Sequence, residues 1–304
     1  MAQTAPSSLS KFLSNVEGAS ENMPASLTRH HGVYPAIDPK SHIAGQTYRD
    51  KVVLITGAST GIGRETAILY ARAGASVVLV ARNAAVLEEA RQAATRVGAE
   101  ARVLAVCANV CVPERAEDAV KQAIEAFGRL DILIANAGVG VKPGQCLSEV
   151  DPLAWWSLFE VNVLGVYNFV RYAMAHLQKT NGYIIATSSG MAQLRYPGMS
   201  SYAISKMAVN RLVEFIDLEY PEVKTFALHP GTIRTGINAE TPELPTPDSA
   251  ALPAALSLHI TAGKVDWMHG RYISANWDVE ELEKDWKNKI LEQRSLVAKL
   301  AIPT

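Results

Sequence analysis

From residue 51 onward the chain alternates short apolar runs with longer stretches of helical spacing. Val52-Val53-Leu54-Ile55 runs into glycines, and residues 63–74 then carry a helix-like pattern. Ser76-Val77-Val78-Leu79-Val80 follows, then a helix over 83–97 with Gly98 as its stop. Val103-Leu104-Ala105-Val106-Cys107 leads to a third helix over 113–127, stopped by Gly128. Leu130-Asp131-Ile132-Leu133-Ile134 precedes a long helical stretch over 151–178, and Tyr183-Ile184-Ile185-Ala186-Thr187 precedes another over 200–220. Val223-Lys224-Thr225-Phe226-Ala227-Leu228 is the sixth run, and residues 270–275 are a candidate last edge strand. Runs that are apolar throughout belong to strands buried on both faces, and the helices between them supply parallel crossovers. The pattern predicts one doubly wound α/β domain over residues 49–278.

The two ends read differently. Residues 1–48 are rich in Ser, Ala and Pro with little periodicity, which predicts an extended or partly disordered arm. Tyr34-Pro35-Ala36-Ile37 is where such an arm would be pinned to the domain. Residues 279–304 predict a C-terminal helical tail with a solvated face.

Composition narrows the function. Of 304 residues, 48% are hydrophobic and 19% charged, the profile of an ordinary globular chain long enough to bury a core. The 29 basic and 30 acidic residues nearly cancel, so nothing suggests a nucleic-acid partner. No apolar stretch approaches the roughly 18 residues of a membrane span, and no secretory leader is evident. Cys107, Cys111 and Cys146 lack the spacing of a disulfide framework or a zinc site, so no metal is expected. A cytoplasmic protein with reduced thiols is the simplest expectation.

The chemistry starts at Thr56-Gly57-Ala58-Ser59-Thr60-Gly61-Ile62-Gly63, between the first strand and its helix. Glycines there let backbone approach a pyrophosphate, and the helix presents free N–H groups and a positive dipole end to it. The second strand ends in Val80-Ala81-Arg82-Asn83. An acid at that end would hold the adenosine 2′-hydroxyl of NAD, whereas an arginine can hold the 2′-phosphate of NADP. Tyr202 and Lys206 lie four apart on a predicted helix and share a face. A phenol has a reference pKa of about 10, and a nearby cation is expected to lower it toward working pH.

Taken together, these motifs resemble the short-chain dehydrogenase/reductase family over about residues 50–275. The glycine spacing G-x-x-x-G-x-G is that family's variant of the Rossmann fingerprint. The resemblance implies Tyr202 as acid/base and Lys206 as its tuning partner and ribose ligand. It also implies Ser189, 13 residues before Tyr202, as the hydroxyl that polarises the substrate oxygen, with Ser188 the less favoured choice. Asn162 would anchor the proton relay. Asn136-Ala137-Gly138 would line the adenosine side, and Asn109-Val110 would meet the adenine. Pro230, Gly231, Ile233 and Thr235 match a segment that contacts the nicotinamide carboxamide. Ala81 stands where NAD-preferring members carry an acid and Arg82 where NADP-preferring members often carry a base, so NADP(H) is expected over NAD(H). Thr60 departs from the base many of the latter carry in the glycine loop.

Doubly wound folds bind ligands beyond the C-terminal ends of their strands. Candidate loops are therefore 139–146, 190–199 and 237–252, with Val139, Met191, Leu194, Arg195, Tyr196 and Met199 as substrate-wall residues. The apolar balance suggests a hydrophobic ketone or secondary alcohol of the kind found in secondary metabolism. The two long helices match the pair through which many family members dimerise, which implies a homodimer or homotetramer. Leu212, Val213, Phe215 and Ile216 could face a partner or the sheet. The alternative is a catalytically silent dinucleotide-binding regulator or an interaction protein, which degenerate catalytic positions would mark.

Overall fold

Alternate residues of the first strand, β1 (Val52–Thr56), enter two different cores: Val53 and Ile55 pack on one side, Val52 and Leu54 on the other. That division repeats through the next five strands of a seven-stranded, all-parallel sheet in the order β3-β2-β1-β4-β5-β6-β7, and ends at the last, where Tyr272 and Ile273 both join the first core. The remaining strands are β2 (Ser76–Ala81), β3 (Val103–Cys107), β4 (Ile132–Ala135), β5 (Tyr183–Thr187), β6 (Lys224–His229) and β7 (Arg271–Ser274). The computed structural model describes residues 26–97, 102–141, 145–239 and 244–300. Gly98, expected as a helix stop, lies outside them, as do residues 1–25 of the arm.

Helices cover both faces. After α1 (Lys40–Gly45), the helices α2 (Gly61–Arg72), α3 (Ala84–Val97) and α8 (Ala251–His259) join the first core. On the other face lie α4 (Pro113–Phe127), α6 (Gly165–Thr180) and α7 (Ser200–Glu219). Helix α5 (Pro152–Phe159) leads into α6 through a π-helical turn at Glu160–Leu164, so the single helix expected over 151–178 carries a widened turn. Strand order reverses between β1 and β4, where ends of neighbouring strands open a crevice.

The described part of the arm, residues 26–48, is folded onto the domain rather than loose. Leu27, Tyr34, Ile37 and Tyr48 are buried in the first core. The Tyr34 hydroxyl donates to the Trp277 carbonyl at 2.9 Å and accepts the Val279 N–H at 3.2 Å, so the expected pin is real. Tyr48 and Tyr70 both meet the Thr261 hydroxyl at 2.7 Å, which ties the end of the arm to the π turn following α8. The tail is helical over residues 279–292, shorter than its charge pattern suggests, and buries Val279, Leu282 and Ile290. Its last stretch returns to the domain, where Leu296 accepts the Tyr272 N–H and Glu214 accepts the Ala298 N–H.

Candidate active site

The turn after β1 is built for close backbone approach. Gly57 and Gly61 hold φ of +65° and +55°, a region that costs side-chain-bearing residues strain. A Cβ on Gly63 would stand 2.4 Å from the Gly57 carbonyl oxygen, so the helix packs directly on the turn. Thr60 starts α2 without a side-chain hydrogen bond, and the first turn holds no acid. Its leading N–H groups therefore face the crevice as an anion site. The Asn136 amide donates to the carbonyls of Thr56 and Gly57 at 3.1 and 3.3 Å, and the Ala137 N–H donates to the Thr56 hydroxyl at 3.0 Å. These bonds fasten the loop after β4 to the glycine turn.

A cleft of about 960 Å³ opens over these turns. Gly57, Ser59, Thr60, Gly61 and Ile62 form its floor; Gly63 lies just behind, in the helix. Arg82 stands exposed on the wall after β2, and Asn109 with Val110 line it after β3. Asn83, rather than Arg82, caps α3, because its side-chain oxygen accepts the N–H groups of Ala85 and Val86. Arg82 is thus left at the cleft. Asn136, Ala137, Gly138 and Val139 form the opposite wall, and Thr235 closes it beside Gly61. The loop after β6 turns at Gly231, whose φ is +96°, and brings Thr235, Gly236 and Ile237 to this cleft, while Pro230, Gly231 and Ile233 do not line it.

The reactive cluster adjoins Gly138, where a Cβ would lie 3.2 Å from Asn162 Oδ1 and 3.4 Å from Lys206 Nζ. The Ser189 hydroxyl is near enough to the Tyr202 phenol to act on it. Lys206 Nζ is 5.9 Å from the Tyr202 ring centroid and donates to the Thr187 carbonyl at 2.7 Å. Ser188 is committed elsewhere, donating to Asn210 Oδ1 at 2.5 Å. Burial pushes the Lys206 ammonium down to about 8. It also pushes the Tyr202 phenol above its ordinary value. The lowering expected from Lys206 is not what dominates here: burial raises the phenol, and the opposing influence comes from Ser189.

Asn162 sits within the π turn, fully buried. Its oxygen accepts the Val139 N–H at 2.9 Å, and its amide donates to the Val139 carbonyl and the Ser205 hydroxyl at 3.1 and 3.0 Å. A widened turn is a common way to aim a functional group from within a helix. Here it lets one side chain splice the loop after β4 to α7.

The substrate-wall candidates are more scattered. Val139 lines the cleft, Met191 and Met199 are partly buried, Arg195 and Tyr196 are exposed, and Leu194 is buried. Leu194 is the one of these candidates that is buried, and it joins neither of the two cores. Of the candidate loops, residues 142–144 and 240–243 lie outside the described chain. Sequence reasoning missed Asp248 and the role of His229. The His229 Nδ1 accepts the Gly190 N–H at 3.0 Å next to Ser189. His229 was visible as part of a motif, whereas nothing near Asp248 in sequence marks it.

Among the described residues no helix is long and apolar enough to cross a membrane, and no cluster of three or more His, Cys, Asp or Glu could hold a metal. Sheet order, crevice and glycine turn define a doubly wound dinucleotide fold. A family model described as short chain dehydrogenase matches residues 51–245. The chain belongs to this oxidoreductase family, whose members use a nicotinamide dinucleotide. It is 37% identical over 286 residues to the short chain dehydrogenase mpl6 of Monascus purpureus, covering 90% of this chain and 95% of that one. The short chain dehydrogenase pigC of Monascus ruber is 33% identical, covering 84% and 87%. Among solved structures, an alcohol dehydrogenase of the archaeon Thermococcus sibiricus complexed with 5-hydroxy-NADP has a TM-score of 0.66 and 28% identity, covering 74% of this chain and 95% of that one.

Proposed function

We propose that the protein is an NADPH-preferring ketoreductase that reduces a carbonyl of a largely apolar small molecule, with Tyr202 as proton donor. The observation that carries this reading is the grouping of Tyr202, Ser189 and Lys206 next to a cleft floored by the glycine turn and the start of α2. A tyrosine phenol, with an ordinary pKa of about 10, is protonated near neutral pH and so can give a proton to a ketone oxygen.

The glycine turn and the start of α2 would hold the pyrophosphate. Arg82 would pair with a 2′-phosphate, which Ala81 leaves unopposed by any carboxylate. Asn109 and Val110 would bracket the adenine, Lys206 the ribose, and Thr235 the carboxamide. The bound dinucleotide supplies the hydride. Tyr202 gives its proton to the substrate oxygen as negative charge develops there, and Ser189 donates a hydrogen bond to the same oxygen. Lys206 and Asn162 would return a proton to Tyr202. Met191, Met199, Tyr196 and Val139 would form a mainly apolar wall, and Arg195 would sit at its rim, in keeping with a hydrophobic ketone of secondary metabolism.

A homodimer is part of the same reading. Leu153, Trp156 and Tyr167 on the α5–α6 stretch and Ile204, Phe215 and Leu218 on α7 are exposed apolar side chains at helical spacing. Val213 and Ile216 instead pack into the core, and Leu212 is partly buried against it.

Titration of wild type and Arg82→Ala with NADPH and NADH tests the cofactor reading. Tighter NADPH binding that collapses toward the NADH value in the variant supports it; equal or tighter NADH binding by wild type overturns it.

A further inference from the structure

Asp248 belongs to none of the motifs above, yet its carboxylate joins three separate segments of chain. One oxygen accepts the Thr232 N–H at 2.5 Å. The other accepts from the Asn276 amide at 2.9 Å and lies 2.5 Å from His31 Nδ1. The backbone repeats these links: Asp248 N–H donates to the Thr232 carbonyl at 3.3 Å, and Ser249 N–H donates to the His31 carbonyl at 2.9 Å. The carboxylate also fills the space a side chain at position 231 would need, since a Cβ on Gly231 would stand 2.7 Å from it. The Asp248 side chain is 3% exposed, so its charge depends on these donors in place of water.

Each segment leads somewhere specific. Thr232 begins the stretch that brings Thr235 to the cleft wall against Gly61. Asn276 follows β7. His31 lies on the arm, which is zipped to that same β7 exit by the Arg29–Trp277 bridge, by His30 N–H to the Asn276 carbonyl and by Asp278 N–H to the Thr28 carbonyl. The wall beyond Thr235 is the reactive end of the cleft, because Ile237 abuts Gly140 on the loop that Asn162 fastens beside Lys206 and Tyr202.

We propose that Asp248 is the positioning residue for the 231–235 loop. Through His31, the N-terminal arm thereby becomes part of the wall that receives the nicotinamide end of the cofactor. The inference rests on the dinucleotide reading of the cleft. It assigns the arm a role at one end of the ligand only, leaving the adenosine end at Arg82 untouched.

Asp248→Asn keeps the volume but sets an amide N–H against one of the donors. His31→Ala removes only the arm's share from a side chain that is 55% exposed, so it leaves the fold intact. Each variant and wild type would be titrated by calorimetry with the dinucleotide that wild type binds. The same proteins would be titrated with that molecule lacking nicotinamide, ADP-ribose or its 2′-phosphate. The expected result is about tenfold weaker dinucleotide binding in Asp248→Asn, a smaller loss in His31→Ala, and unchanged binding of the truncated ligand by both. Equal weakening of both ligands would reduce Asp248 to general scaffolding and overturn the proposal, as would no weakening in either variant. Wild type binding neither ligand would instead overturn the dinucleotide reading on which the proposal stands.

Discussion

Lys206 Nζ stands 5.9 Å from the centre of the Tyr202 ring and gives its hydrogen bond to the Thr187 carbonyl at the end of β5. The ammonium thereby sits between the strand end and the phenol ring, and burial pushes the lysine down to about 8 while pushing the phenol above its ordinary value. The ammonium loses its proton as pH rises through about 8. Reductive kcat/KM for the carbonyl substrate is therefore expected to decline above about pH 8, in a pH–rate profile taken with cofactor in excess. A profile flat to pH 10 would detach Lys206 from the reaction.

His229 carries a second pH signature, in stability. Burial pushes it from 6.5 down to about 4, and Nδ1 must stay unprotonated to accept the Gly190 N–H. Below 6.5 the unfolded chain takes up a proton that the folded chain refuses, so stability falls as pH drops through that window. His259, also held at about 4 by burial, adds in the same direction. Melting temperature is expected to fall from pH 6.5 to about 5, and less steeply in His229→Gln. An identical slope in the variant would contradict the assignment.

Asn162 makes a prediction about local architecture. Asn162→Ala removes both side-chain partners of the Val139 backbone in a buried place. The expected cost is about 1–3 kcal/mol in denaturant unfolding, together with a raised KM for the carbonyl substrate. Unaltered stability and KM would mean that the loop after β4 holds itself.

The exposed face of α7 predicts the oligomeric state. Phe215 is 50% and Leu218 75% exposed, three residues apart on the helix surface. Light scattering is expected to find wild type as a dimer or tetramer and Phe215→Glu with Leu218→Glu as a smaller species. A monomeric wild type would contradict this.

Much of this was legible in sequence, for definite reasons. Strands buried on both faces leave uninterrupted apolar runs, so β1, β2 and β5 announce themselves, and the glycine turn is marked because glycine readily holds the φ of Gly57 and Gly61. Other features left no local trace. Leu27, Tyr34, Ile37 and Tyr48 are buried without any period, because an arm laid across a domain obeys the surface beneath it. The π turn around Asn162 left no break in the helical pattern of residues 151–178. Asp248 meets its partners only across 16, 28 and 217 residues of chain. The spacing of Tyr202 and Lys206 gave their proximity but not the balance of forces on the phenol, which burial decides.

The most direct test of the central claim compares wild type with Tyr202→Phe in the same cuvette, measuring nicotinamide fluorescence for binding and nicotinamide absorbance for turnover on a panel of hydrophobic ketones. The account predicts unchanged cofactor affinity and turnover lower by about 10²–10⁴-fold, the worth of a positioned general acid. Turnover that survives the loss of the hydroxyl would contradict it.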